Sequence, residues 1–331
     1  MTKKRVEYVD YIRGLCVTWV VWYHTTHPDF VEFSFRIPLF FFASGIFFRP
    51  YPWKKFWRKK FNQLIVPFIL FYLIYYIYLI ITNALKFHSL SSFDYSCIWD
   101  VFGTYSATES FVVNPPLWFI CALINLQLLL YVSSKLIRNK WSLLLFALFI
   151  TTIGLVYIQH IPTPFMIGRS LRYFIYYVSG FVFGKSLISC LDDKKETIKI
   201  LSASLFVFIS ILIIKTILPI KSLYVHEITD CIEIYSIILL LFVLFSNIYK
   251  IPIMYPFKFF GVNSYIVFGM HEIYHTTLRI IMQNIFGEVT ITLGIIQTII
   301  TLLLLWPTIW LFNKYIPKLV GKKELIKVPE T

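Results

Sequence analysis

Ten long apolar runs constrain the fold more than any other feature of the sequence. A helix needs roughly 20 apolar residues to cross the hydrocarbon core of a bilayer. Since 58% of the 331 residues are hydrophobic, lipid is the expected solvent of this chain. The sequence therefore predicts an all-α, polytopic membrane helix bundle of about ten transmembrane helices. The runs lie at residues 9–28, 36–51, 61–82, 116–134, 141–159, 170–188, 200–218, 231–249, 259–285 and 290–312.

Basic residues sort into alternate loops between these runs. The net charge is +14, but the Lys and Arg residues are spread along the chain and do not form the basic stripe expected of a nucleic-acid-binding protein. With the N-terminus in the cytoplasm, the positive-inside rule accounts for most of them. Both termini are then cytoplasmic, and the chain is expected in the inner or plasma membrane. The main basic segments are residues 3–5, 54–60, 135–140, 194–199 and 314–327.

A single membrane domain over residues 1–331 is expected, because the longest external loop covers only residues 83–115. Glu7 and Asp10 interrupt the start of the chain, so no cleavable signal peptide is predicted. The 5 cysteines are scattered and form no CxxC pair. They predict neither a thiolate zinc site nor a redox couple.

The first apolar run carries three ionisable side chains, Asp10, Arg13 and His24. Such residues cost several kcal/mol in a membrane helix unless they face a wet cavity or a partner, so they are functional candidates. Helix geometry puts Arg13 and His24 on one face, about 16 Å apart along the axis. That separation fits acyl-CoA, with its phosphates near Arg13 and its reactive end near His24.

The imidazole of His24 can accept a hydroxyl proton or act as a nucleophile. The alternative is that Arg13 only reaches lipid headgroups and that His24 only hydrogen-bonds to a neighbouring helix.

Residues 271–275 read His-Glu-Ile-Tyr-His, the HExxH pattern of zinc hydrolases. A third ligand is not evident from the sequence. An upstream Glu233 remains open, and the downstream acids are Glu288, Glu324 and Glu330. We therefore predict no metal or other cofactor. His271 and Glu272 could line a site, or could only hydrogen-bond to a neighbouring helix. An intramembrane zinc protease stays a minor alternative.

Further candidates lie near the ends of the runs. Arg172, with Arg169, could meet an anionic or hydroxylated acceptor on the outer side, or could anchor the helix at the interface. Trp118 could stack on a sugar ring, although aromatic belts occur at membrane interfaces in general. Arg58 and Lys59 could contact CoA phosphates, although positive-inside anchoring explains them without a ligand.

Several segments, taken in order, resemble the acyltransferase-3 family of integral-membrane O-acyltransferases. The first helix of that family carries Arg, ten residues and then His, as Arg13 and His24 do here. The resemblance covers nearly the whole chain, with one departure at Ala122, where many relatives carry Arg. The other similar segments are IPLFFFASGIFF with Ser44, KKFWRKKFNQLIVPF, PPLWFICAL, RYFIYYVSGFVFGK and GVNSYIVFGMHEIY.

The resemblance implies transfer of an acyl group, commonly acetyl, from cytoplasmic acyl-CoA to a hydroxyl of an extracytoplasmic saccharide or glycolipid. It implies a catalytic His24 and a donor-side Arg13. An exporter of envelope polysaccharide or lipid-linked sugar is the alternative from another class, since buried charges among ten helices also describe a transport pathway. The site-lining candidates are Asp10, Ser44, Trp118, Arg172, His271 and Glu272.

Overall fold

The computed structural model describes residues 6–26, 35–158, 160–217, 223–287 and 290–329. Over these ranges the chain is helical apart from loops and one short antiparallel pair of strands, β1 (Thr104–Tyr105) and β2 (Thr163–Pro164). The predicted all-α class is confirmed. Several positions used in the sequence analysis lie outside the described residues: residues 3–5, the predicted helix ends at 28, 159 and 218, and Glu288 and Glu330.

Each of the ten predicted runs overlaps at least one helix of the structure. Short 3-10 turns precede α5 and α11, and one π-helical turn joins α3 to α4. The helices are α1 (Glu7–Thr26), α2 (Arg36–Ile46), α3 (Trp53–Lys60), α4 (Val66–Phe87), α5 (Trp118–Leu136), α6 (Lys140–Val156), α7 (Ile167–Leu171), α8 (Phe174–Leu191), α9 (Lys194–Ile217), α10 (Leu223–Ile248), α11 (Tyr255–Val262), α12 (Ser264–Phe286) and α13 (Ile291–Tyr315).

Six helical stretches among the described residues are long and apolar enough to cross a membrane. Two shorter apolar helices, α2 and α6, accompany them. Helices α1 and α12 are not among the six, and these two carry the ionisable residues of the candidate site. The six stretches are Trp53–Phe87, Pro115–Leu136, Phe174–Leu191, Lys194–Ile217, Val225–Ile248 and Ile291–Tyr315.

Two predicted runs have different bounds in the structure. Helix α2 ends at Ile46 and not at residue 51, where Pro50 and Pro52 limit helical geometry and remove backbone donors. The run at 259–285 is divided between α11 and α12 at Asn263, whose side-chain oxygen accepts a hydrogen bond of 2.9 Å from Asn313.

Two compact units can be distinguished by their internal contacts. The first comprises the described residues of Met1–Val20, Pro28–Phe47 and Ser179–Val262. Within it, α1 packs closely on α11, because a Cβ atom at Gly14 would lie 1.7 Å from the carbonyl oxygen of Phe257. A Cβ atom at Gly261 would likewise lie 1.8 Å from the carbonyl oxygen of Asp10. Any larger residue at these glycines forces the two helices apart.

The second unit comprises the described residues of Val21–His27, Phe48–Val178 and Asn263–Thr331. Its core ties α4 to α12 through the buried side chain of Asn114. That amide donates to the carbonyl oxygens of Phe71 (3.2 Å) and Gly269 (3.0 Å). Gly269 is required there, because a Cβ atom would lie 2.2 Å from the Phe71 ring. This packing holds α12 in place where it carries the candidate site.

Helix α3 is short and amphipathic, with Phe56 buried and most of its charged side chains exposed or half-buried. This pattern is typical of a helix at a membrane surface. The π-helical turn after it places the buried Asn62 against the C-terminal segment. Asn62 donates to the carbonyl oxygen of Ile326 (2.7 Å) and accepts from the N–H groups of Leu325 (3.1 Å) and Ile326 (2.9 Å). The tail is thereby fixed beside the basic helix.

Candidate active site

Near the end of α1, His24 lies against the HExxH segment of α12. Its Nδ1 atom is 3.9 Å from Oε2 of Glu272, and Nδ1 of His275 is 3.5 Å from the other carboxylate oxygen. The ring centroids of His24 and His271 are 5.3 Å apart, and those of His24 and His275 are 6.3 Å apart. Three imidazoles therefore surround one carboxylate.

Helical geometry explains how α12 presents this group. Residues four apart lie on the same face, so His271 and His275 are neighbours along the helix, with Glu272 beside them. His271 is 0% exposed, His275 is 6% exposed, and the side chains of Glu272 and His24 are 12% and 30% exposed. A carboxylate at such depth needs polar partners. Thr276 donates a hydrogen bond to Oε1 of Glu272 (3.4 Å), and His24 and His275 lie nearby.

The ring of His271 is held in one tautomer. Its Nδ1 atom lies 2.8 Å from the carbonyl oxygen of Val267. Because a carbonyl can only accept, Nδ1 carries the hydrogen and Nε2 keeps its lone pair. This Nε2 is buried and has no hydrogen-bond partner among the described residues. It is an acceptor, or a ligand atom, available to whatever enters the cluster.

Helix α13 forms a further wall of the cluster. Gln297, which is buried, donates from Nε2 to the carbonyl oxygen of His275 (2.8 Å). The hydroxyl groups of Thr25 and Thr298 share a hydrogen bond, which ties the residue after His24 to α13. Thr301 is also buried. These contacts fix the position of His24 relative to α12 and α13.

Arg13 belongs to the first unit, where it meets α2. Its Nη2 atom donates to the carbonyl oxygen of Ala43 (3.4 Å). Its guanidinium carbon lies 5.8 Å from the ring centroid of Phe40 and 5.2 Å from that of Phe47. Ser44 follows Ala43 on the same helix and is half-buried, and Asp10 lies buried one turn before Arg13. The predicted residues Asp10, Arg13 and Ser44 thus share this unit.

Trp118, at the start of α5, is covered by Arg169. The guanidinium carbon of Arg169 is 3.6 Å from the indole centroid, which is a close cation–π contact. Arg169 also donates to the carbonyl oxygen of Glu109 (3.1 Å). The ring centroids of Tyr173 and Trp118 are 6.1 Å apart. Arg172 is half-buried one residue before Tyr173.

The loop before α5 is held together by its acidic residues. Asp100 accepts hydrogen bonds from the backbone N–H groups of Val112 (2.6 Å) and Val113 (3.2 Å). Glu109 accepts from the backbone N–H of Ser106 (2.7 Å), and this bond lowers the pKa of the Glu109 carboxyl group. The predicted external loop is therefore ordered next to Trp118.

Arg58 and Lys59 lie on α3, close to the C-terminal segment. Arg58 donates from Nη1 to the carbonyl oxygen of Lys327 (3.1 Å), and Nζ of Lys59 lies 4.4 Å from the ring centroid of Tyr51. Both cations are therefore engaged with neighbouring groups, and they belong to the same basic surface as Lys327.

Three residues of the site, among those that the structure describes, were not predicted as site residues: His275, Gln297 and Thr298. The HExxH spacing was the signal for His275, and a Gln inside an apolar run is a weak signal for Gln297. Thr298 gave no signal, because a threonine hydroxyl is easily satisfied by its own helix backbone.

A multi-pass helical bundle with a buried group of imidazoles and a carboxylate is the type of site that membrane enzymes use for proton transfer and group transfer. A family model for an acyltransferase domain, acyltransferase-3, matches residues 6–312. The chain belongs to this family and is a membrane acyltransferase, as the resemblance in its motifs predicted. Searches of curated proteins and of solved structures find no match.

Proposed function

We propose that this acyltransferase moves an acyl group, with acetyl the expected one, from cytoplasmic acyl-CoA to a hydroxyl of an extracytoplasmic saccharide or glycolipid. One observation carries the proposal: His24, the second residue of the Arg and His pair on α1, lies 3.9 Å from Glu272 inside a largely buried cluster. A histidine beside a carboxylate is suited to remove a proton from a hydroxyl group.

In the proposed reaction, His24 takes the proton of the acceptor hydroxyl while the oxygen attacks the thioester carbonyl. The C–O bond forms, the C–S bond breaks, and the proton passes from His24 to the leaving CoA sulfur. Glu272 orients the imidazole and stabilises its charged form. The separation of 3.9 Å is longer than a hydrogen bond, so the pair has to approach by about 1 Å when substrates bind.

On the donor side, Arg13 is proposed to hold the phosphates of acyl-CoA, since a guanidinium binds phosphate with two parallel hydrogen bonds and keeps its charge. The basic surface of Arg58 and Lys59 is proposed to contact the nucleotide part. Asp10 and Ser44 share the first unit with Arg13 and are candidates for positioning it. This arrangement requires a cytoplasmic N-terminus in the inner or plasma membrane.

On the acceptor side, Trp118 and Arg172 are proposed to contact the saccharide. The ordered loop beside Trp118 supports a binding surface at this place. Because Arg169 already covers the indole, it joins Trp118 as a candidate acceptor contact.

The proposal can be tested on envelope glycans from cells with and without the gene. We expect an O-acyl signal in the NMR spectrum of one glycan to disappear on deletion. The wild-type gene should restore it, and His24→Ala should not. If every glycan keeps its acylation and one glycan is missing from the surface, the exporter alternative is favoured and the proposal is wrong.

A further inference from the structure

We propose that His24, His271 and Glu272 form a binding site for one divalent transition-metal ion, with Zn²⁺ as the best chemical match. One ligand atom from each residue lies within 4.8 Å of those from the other two. Imidazole nitrogen together with carboxylate oxygen is a donor set typical of zinc. In tetrahedral zinc sites the ligand atoms are roughly 3.3 Å apart, so each side chain has to move by about 1 Å or less.

Two buried atoms of this cluster support the site independently of the donor set. Nε2 of His271 and Oε2 of Glu272 have no hydrogen-bond partner among the residues that the structure describes. A buried lone pair without a partner costs free energy, which a bound cation would recover. The ring nitrogen opposite Nε2 donates to the carbonyl oxygen of Val267, at 2.8 Å. Metal-binding histidines almost always anchor their second nitrogen in this way.

The rest of the carboxylate is already oriented for such a ligand. Oε1 of Glu272 lies 3.5 Å from Nδ1 of His275 and accepts a hydrogen bond of 3.4 Å from Thr276. Oε2 lies on the side of His24, at 3.9 Å. Thr276 therefore orients the carboxylate, and His275 lies behind it, in the position of the outer residues of metal sites.

This site differs from that of an HExxH hydrolase. There, both histidines of the motif bind the metal and the glutamate acts as a base. Here Glu272 is a ligand, His275 supports it, and the third ligand, His24, comes from α1. No sequence pattern indicated that third ligand, because only the packing of α1 brings it to α12.

Metal binding and acyl transfer both require His24, so the two exclude each other. This consequence rests on the proposed function. An imidazole that donates its lone pair to a metal cannot accept the proton of a hydroxyl group. Zn²⁺ is therefore expected to inhibit transfer reversibly, and a chelator is expected to restore it.

The test uses purified full-length protein that has been freed of metal with a chelator. Calorimetric titration with ZnCl₂ should show one ion bound per chain. His271→Gln and Glu272→Gln should each weaken binding by at least about 100-fold, since each removes one ligand of three. His88→Asn is the matched control, because His88 is exposed and its left-handed backbone suits Asn. It should bind Zn²⁺ as the wild type does.

A second measurement uses only the wild-type protein, so its result does not depend on whether a variant folds. X-ray absorption of the wild-type zinc complex should show imidazole scatterers in the first coordination shell. Absence of imidazole from that shell, no saturable binding in the wild type, or equal binding in wild type, His271→Gln and Glu272→Gln would each overturn the site.

Acyl transfer by the metal-free protein is measured in parallel. Active metal-free protein that neither binds nor responds to Zn²⁺ contradicts the metal site and leaves the transferase intact. One bound Zn²⁺ per chain, in a protein that transfers no acyl group with or without chelator, keeps the site and contradicts the proposed function. Stimulation by Zn²⁺ would contradict the competition.

Discussion

Nδ1 of His24 lies 3.9 Å from Oε2 of Glu272, so the histidine near the end of α1 faces the one glutamate of α12. This pairing explains why both helices carry ionisable residues inside a membrane protein. In the proposed reaction the two residues have different tasks: His24 exchanges the proton, and Glu272 sets the orientation of the ring.

Replacing His24 with Ala should lower the turnover of acyl transfer by about 10²–10⁴-fold, because the proton acceptor is lost. Protein abundance and membrane insertion should hardly change, since the side chain is partly exposed. Turnover with acetyl-CoA and quantitative blotting measure the two effects. His160→Ala, at an exposed loop position, is the control and should keep full activity. Full activity of His24→Ala would rule out its catalytic role.

Replacing Glu272 with Gln should lower turnover by about 10–100-fold while KM for the acyl donor stays nearly constant, because the carboxylate acts through His24. Glu272→Asp should recover part of the rate. In the double variant with His24→Ala, the second change should add little further loss, as expected of residues that act as a unit. Losses that multiply would show that Glu272 works independently of His24.

Replacing Arg13 with Lys should weaken acyl-CoA binding more than acceptor binding. The change keeps the charge but exchanges a planar fork for a point charge. The ratio of KM values for donor and acceptor measures this, together with direct titration of CoA. Arg138→Lys, in an exposed segment after α5, is the matched control. Unchanged CoA affinity in Arg13→Lys would remove the donor role.

Replacing Asn62 with Ala removes three hydrogen bonds to the segment at Leu325 and Ile326. Loss of buried partners of this kind costs about 1–3 kcal/mol. We expect a lower Tm and faster tryptic cleavage after Lys323 and Lys327, read by mass spectrometry. A tail that is cleaved at the wild-type rate would mean that Asn62 does not hold it.

Much of the fold was readable from the sequence because membrane spans are a local property. Each predicted run, from 9–28 to 290–312, overlaps helical structure, since about 20 apolar residues suffice to define a membrane helix. The predicted bounds were wrong at two places. Helix α2 ends at Ile46, before the prolines, and the run at 259–285 is divided at Asn263.

The site was only partly predictable. His24, His271 and Glu272 were recognisable one by one, as polar residues in apolar runs. Their meeting depends on how α1 packs against α12, which no local pattern encodes. The same limit applies to Arg169, because no local pattern predicts that its guanidinium covers Trp118.

Acyl transfer across a sealed membrane tests the central claim most directly. Purified protein is reconstituted in vesicles, acetyl-CoA is added on the face that carries the basic helix α3, and the saccharide acceptor is held on the other face. We predict that acyl groups appear on the acceptor as free CoA appears on the donor side, in wild type and not in His24→Ala. Movement of unmodified glycan without consumption of acetyl-CoA would contradict the account.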